Sequence, residues 1–307
     1  MTRARDNSFN PFNNQYAGKN VLINGAMDIW QRGTSFAIGG PGTVIYTADR
    51  WTCYSGNTGT ISRDTSLVPV GFESSLKFTS TINASGIDFY QLIETKNVIP
   101  LQGKTVTLSA YVAGTNGKTA SGMTAYYSTT NDDMIYLTSG VLMQVAAVPV
   151  ALSSTSFQRI SMTFTVPSTA KTIRIGLISS TLNNTEFIAW SGIQLEQGSY
   201  PTPFSRSGGT IGGELSLCQR YYAVGGGDLS FSGVTTAGNG YYGMYYFPVD
   251  MRIPPSVTFA NANNAGPFGA TPGGAGGTTT RYTREGRTAA TSSSGYFGSS
   301  YAASAEL

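Results

Sequence analysis

Three stretches of this chain alternate between apolar and polar residues: Thr105 to Val112, Gln158 to Val166 and Lys171 to Leu177. Successive side chains on an extended backbone point to opposite faces, so each stretch predicts a strand with one face buried and one wet. Turn-forming clusters stand between such strands, at Asn57-Thr58-Gly59, Asn83-Ala84-Ser85-Gly86, Thr115-Asn116-Gly117 and Pro167-Ser168. Gly, Asn and Pro supply the backbone angles that a reversal needs. No helical pattern of ten or more residues interrupts residues 19–205. Strands of this length and spacing over such a span predict a jelly-roll β-sandwich. The composition agrees, with 11% charged residues where roughly a quarter is usual.

The flanks read differently. Residues 1–18 are polar and have no period, yet carry Phe9, Phe12 and Tyr16 at irregular intervals. Such a segment is expected to order only by burying those rings against a partner. Residues 206–213 form a Gly-rich, hinge-like linker. A short helix is expected over 214–222, with Leu215, Cys218 and Tyr222 on one face. Strand signals return in 223–307, around Tyr241 to Val249, Ser256 to Phe259 and Gly295 to Phe297, with a long low-complexity loop expected from Asn261 to Thr280. The chain is thus expected to be all-β: an arm over 1–18, a jelly-roll β-sandwich over 19–205, a linker and short helix over 206–222, and a second, smaller β domain over 223–307.

Several functions are disfavoured. The chain has no histidine, which removes the commonest general base and metal ligand. Its net charge is +3 with no block of Lys or Arg, so no nucleic-acid partner is expected. No apolar run reaches the ~18 residues of a membrane span, and no signal peptide or phosphate-binding loop is visible, so neither membrane insertion nor a cofactor is expected. Asp132-Asp133 is the one adjacent carboxylate pair to consider for glycoside hydrolysis, but it sits in Thr129-Thr130-Asn131-Asp132-Asp133, which reads as a solvated turn. Cys53 and Cys218 lie in different expected domains; buried free cysteines are the favoured reading and a disulfide between them the lesser alternative.

Two sets of motifs carry a resemblance. Asn20-Val21-Leu22-Ile23-Asn24-Gly25 runs on to Trp30-Gln31-Arg32-Gly33 and is followed by Tyr46-Thr47-Ala48-Asp49-Arg50-Trp51. Later come Gln194-Leu195-Glu196, Thr202-Pro203-Phe204, then Glu214-Leu215 and Leu217-Cys218-Gln219-Arg220-Tyr221-Tyr222, and the end at Ala305-Glu306-Leu307. In this order they resemble bacteriophage and prophage tail or head fibre proteins with a carbohydrate-binding-module-like β-sandwich and a C-terminal tip domain. The resemblance implies a structural, non-enzymatic fibre subunit of the virion, assembled in the host cytoplasm. It implies a homotrimer, docked on another virion structural protein through the N-terminal arm and attached to a host-surface glycan. A capsid decoration protein without receptor role and a glycan-degrading phage surface enzyme are the alternatives. Modules of this shape often hold a structural calcium ion. Here Ala26 stands where they place an aspartate, and the last strand reads Ser191-Gly192, so only Asp28 or Glu196 could serve instead.

Trp30, Trp51 and Trp190 fall in or beside the opening and closing strands, where a core needs large rings. The second domain has rings to spare. Period two puts Tyr242, Met244 and Tyr246 on one face and Tyr245 and Phe247 on the other. Arg281, Tyr282, Arg284 and Arg287 form a basic-aromatic cluster nearby. Aromatics on both faces imply a neighbour or a ligand against one of them, and contact with another subunit and contact with a glycan are both open; Tyr242, Tyr246, Arg281, Tyr282 and Arg284 are the candidate ligand-binding residues.

Overall fold

The computed structural model describes residues 19–40, 42–55, 58–83, 86–133, 140–146, 150–179, 181–226, 230–269 and 272–306. Phe9, Phe12 and Tyr16, the expected docking anchors, lie outside the described residues. The chain divides into two compact units between Leu215 and Ser216.

The first unit is a β-sandwich. Its strands, in chain order, are β1 (Ser35–Gly39), β2 (Thr43–Tyr46), β3 (Thr52–Ser55), β4 (Thr58–Asp64), β5 (Ser75–Ser80) and β6 (Ile87–Ile93). After a one-turn helix, α1 (Thr95–Val98), come β7 (Thr105–Gly114), β8 (Ala120–Ser128), β9 (Val141–Ala146), β10 (Gln158–Thr165), β11 (Thr172–Ser179) and β12 (Phe187–Gln197). They form two six-stranded sheets, ordered β1-β4-β5-β12-β7-β10 and β2-β3-β6-β11-β8-β9. Every pairing is antiparallel. Phe78 and Leu108 of one sheet and Phe89, Ile175 and Leu177 of the other share one buried core. Trp51 and Trp190 are wholly inside it, while Trp30 packs on its edge and stacks on Phe36. All three tryptophans therefore serve the core.

The period-two reading holds for β10, whose residues alternate between buried and exposed. It fails for β11, which is buried on both faces. Arg174, placed by alternation on the wet face, is fully buried there.

The motif residues prove to be staples. Asn20 accepts from the Leu22 and Leu195 amides and donates to the Ile193 carbonyl, tying the opening loop to β12. Asn24 accepts from the Ile29 amide and donates to the carbonyls of Ile29 and Asp49. Glu196 accepts from the Thr202 amide and hydroxyl, and Gln194 from the Ser205 amide, fixing the strap that follows β12. All but the Thr202 hydroxyl bond satisfy a backbone group, and those of Asn20 and Asn24 do so in the interior, where an unpaired group would be costly.

The segment expected to be a hinge is likewise pinned. Arg206 pairs with Asp28 at 2.8 Å. Glu214, buried, accepts from the amides of Gly208 and Asn24. Glu214 lies in α2 (Ile211–Gln219). The buried positions here are Glu214, Cys218 and Tyr221, rather than Leu215, Cys218 and Tyr222; Leu215 and Tyr222 are only half-buried. The helix stops before Tyr222, which begins the next strand, so the expected apolar stripe loses its last member. Cys53 and Cys218 are both buried and free.

In the second unit β19 (Ser294–Ser304) pairs with β13 (Tyr222–Gly226), β14 (Phe231–Val234) and β16 (Ser256–Ala265). A three-stranded sheet has the order β15 (Gly240–Tyr246), β18 (Tyr282–Thr288), β17 (Gly274–Gly276). Tyr245, Phe247, Met251 and Tyr301 form one core cluster, and Phe268 and Phe297 another with Phe231 and Tyr241 against them. The loop expected from Asn261 to Thr280 is shorter: β16 continues to Ala265, and β17 occupies 274–276.

Candidate functional site

Strand register assembles the candidate site. Across β15 and β18, Tyr242 faces Gly286, Met244 faces Arg284 and Tyr246 faces Tyr282. Across β18 and β17, Arg284 faces Gly276 and Gly286 faces Gly274. Paired residues point to the same side of a sheet, so these side chains share one face. That face is open: Tyr242 is 60% and Tyr246 70% exposed. The Arg284 guanidinium lies over the Tyr242 ring, 5.1 Å from its centroid. The Tyr246 and Tyr282 rings are neighbours at 6.1 Å. Gly286 leaves room for the Tyr242 ring, since a Cβ there would come 3.0 Å from its Cε1 atom. Four of the five candidates, Tyr242, Tyr246, Tyr282 and Arg284, thus meet on one surface.

Arg281 stands apart at the end of β18, where its guanidinium is held by Asp250 at 3.0 Å. Arg287, read as part of the exposed cluster, is buried. Its Nε lies 2.7 Å from Glu285 Oε1, and it donates further to the Gly269 carbonyl and the Ser299 hydroxyl. Along β18, residues 283, 285 and 287 point inward and 282, 284 and 286 outward. Glu285 also accepts from the Tyr245 hydroxyl at 2.6 Å, the Gly273 amide and the Ser299 hydroxyl. Burial alone would raise the Glu285 carboxyl, but the bonds from Tyr245, Gly273 and Arg287 outweigh it and hold the carboxyl below its ordinary value. Tyr245 is pushed up, by burial first and Glu285 second, and stays a neutral donor. The platform therefore rests on a sheet bolted from below by a satisfied polar network.

A separate open groove of about 410 Å³ includes Ser232, Val234, Ala265 and Tyr296. Among the described residues its lining carries no charged side chain.

In the sandwich the carboxylates considered for calcium are engaged separately. Asp28 pairs with Arg206 and Glu196 with Lys19 at 3.1 Å. Among the described residues no group of three or more His, Cys, Asp or Glu side chains could hold a metal ion. Asp132 lies in a turn with a left-handed backbone, exchanging hydrogen bonds with Thr95. Sequence reasoning missed Asp88 and Arg174. They pair at 2.5 Å, with the guanidinium 4.1 Å from the Tyr90 ring centroid. A Cβ at Gly176 would come 2.4 Å from Thr124 Oγ1 and 3.1 Å from Asp88 Oδ1 and Arg174 Nη1, so glycine there makes room for the pair. The available signal was an arginine two residues before a glycine in an apolar strand. Arg174 is sealed from solvent, which makes the pair a part of the scaffold.

No protein-family model matches the chain, and no curated protein matches it. Among solved structures, the chain is similar to the enzymatically active domain of tailspike protein 4 of bacteriophage CBA120, with 13% identity over 59% of this chain and 22% of that one, at a TM-score of 0.36. It is similar to the CBM22-1 xylan-binding domain of Xyn10C from Paenibacillus barcinonensis, with 15% identity over 60% of this chain and 98% of that one, at a TM-score of 0.34. It is also similar to TmCBM61, solved with β-1,4-galactotriose, with 11% identity over 58% of this chain and 99% of that one, at a TM-score of 0.34. The chain spans under a quarter of the tailspike chain's length and nearly all of each binding module's.

Proposed function

We propose that this chain is a non-catalytic fibre subunit of a bacteriophage particle that attaches to a host-surface glycan through the outer face of β15, β18 and β17. One observation carries the glycan half of the reading: Tyr242, Tyr246, Tyr282 and Arg284 share one open face. Sugar rings have flat apolar faces that pack on aromatic rings, and the tyrosine hydroxyls and guanidinium offer polar partners at the rim. The same register places no carboxylate on this face, whereas hydrolysis of a glycosidic bond needs two that oppose each other. The virion half rests on the opening and closing motifs. They support a homotrimer in the particle, assembled in the host cytoplasm, with the 1–18 arm docked on another virion protein. Three copies about one axis would turn weak single sites into firm attachment.

The full-length Tyr282→Ala/Arg284→Ala variant is expected to bind host cells more weakly by at least ~1 kcal/mol per site, the scale of an aromatic or arginine anchor. Its thermal unfolding is expected to match the parent's, because both side chains lie on an outer face. Undiminished cell binding would move the contact elsewhere or favour a decoration protein. Release of new reducing ends from the envelope polysaccharide would favour the enzyme.

A further inference from the structure

We infer that the saccharide taken by this face is acidic, and that Arg284 selects it by binding a sugar carboxylate. The inference rests on the reading of the face as the saccharide site. It starts from how the arginines of the second unit are used. Residues 216–306 contain Arg220, Arg252, Arg281, Arg284 and Arg287 and no lysine. Four of them donate to protein acceptors: Arg220 to the Tyr221 hydroxyl, Arg252 to the carbonyls of Ala305 and Glu306, Arg281 to Asp250, and Arg287 to Glu285. Arg284 differs. Among the described residues no hydrogen bond or ion pair engages its guanidinium, which is exposed on the platform.

That guanidinium is nevertheless positioned. The Tyr242 ring supports one side. On another lies the backbone of Gly277, whose φ is +56° and where a Cβ would come 2.6 Å from Nη2. An arginine stacked on an aromatic ring keeps its planar fork of N–H donors free for an anion, and that fork matches a carboxylate. Holding it in place beforehand lowers the ordering cost of binding. Beside it, Gly274 and Gly276 of β17 leave open space at their Cβ positions, so a pyranose ring can lie along the edge strand with its carboxylate toward Arg284. Tyr246 and Tyr282 then pack on the next ring. A neutral glycan would leave the one uncommitted cation of the face without a partner.

Matched pairs of immobilised oligosaccharides test this with the full-length protein: glucuronate- against glucose-containing chains, and galacturonate- against galactose-containing chains. At least one acidic member is expected to bind about tenfold more tightly than its neutral counterpart. The Arg284→Gln variant should lose that preference and its salt dependence while keeping the parent's melting temperature. Tyr246→Ala should weaken acidic and neutral members alike. Equal binding of both members, with Tyr246→Ala weakening both, would overturn the acidic inference and leave the saccharide site standing. An acid preference unchanged in Arg284→Gln would overturn the role of Arg284. Binding of no member by the parent would overturn both readings.

Discussion

Arg174→Ala is expected to destabilise the sandwich by about 3–5 kcal/mol, the cost of stranding one member of a buried ion pair. The side chain is wholly inaccessible, lies 2.5 Å from Asp88 and packs over Tyr90, with Tyr126 also near. Its removal leaves Asp88 in an apolar setting and opens space beneath the rings. Burial already holds the Asp88 carboxyl above its ordinary value, despite the opposing pull of Arg174. Without Arg174 the carboxyl should take up a proton more readily still. A raised folded-state value favours the native state at low pH and loses that advantage as pH rises through it. The loss in Arg174→Ala should therefore be smaller near pH 4 than near pH 7. Tryptophan fluorescence in urea isolates this unit, since Trp30, Trp51 and Trp190 all belong to it. Arg174→Met combined with Asp88→Leu should cost less than the two single changes summed, because no charge is then stranded. A loss under about 1 kcal/mol in Arg174→Ala, at neutral pH, would show that the pair contributes little.

The contrast between Arg174 and β10 shows what alternation can and cannot reveal. In β10 residues 160 to 165 alternate between buried and exposed, so period two gives both the strand and its orientation. In β11 the pattern gives the strand correctly, but the outer face is covered, and coverage depends on loops and on neighbouring strands far away in sequence. Tyr126 comes from β8 and Asp88 from β6. The motifs around Asn20, Asn24, Gln194 and Glu196 were visible, but their work was not: Asn20 and Asn24 each satisfy backbone groups of two segments, and Gln194 and Glu196 hold the strap that follows β12. The platform on β15 and β18 was legible because it needs only the parity of two strands. Tyr242 and Tyr246 share a parity, as do Tyr282 and Arg284. Arg287 was misplaced by grouping it with Arg281 and Arg284 by proximity. Its parity separates it from Arg284 and sets it with Glu285, on the face that the fold buries. The short helix was found, but its end was set one turn late, because Tyr222 is as compatible with a helical stripe as with the strand it begins.

Glu285→Ala is expected to loosen the second unit by a similar about 3–5 kcal/mol, since it strands Arg287 in the interior. Glu285 is the common acceptor for Tyr245, Arg287, Ser299 and the Gly273 amide, and Arg287 in turn holds the Gly269 carbonyl. One carboxylate thus fastens β15, β18, β19 and both ends of the 269–273 segment. Tyr282 and Arg284 sit on the opposite face of the same strand, so the variant should also lose the geometry of the platform. The pH dependence has a definite sign. The Glu285 carboxyl lies below the ordinary glutamate value of 4.5 in the folded protein. A lowered value means that the contribution is present above the unfolded value and is lost as pH falls through the folded one. Amide exchange across β18 in the full-length protein should accordingly be slow at pH 7 and gain in relative opening as the medium is acidified below 4.5. Glu285→Gln keeps the shape but cannot accept from all four donors. It should open more readily at neutral pH and lose most of the acid response. If Glu285→Gln kept the parent's protection at pH 7 and the same acid response, the charge of Glu285 would not be what secures the sheet beneath the platform.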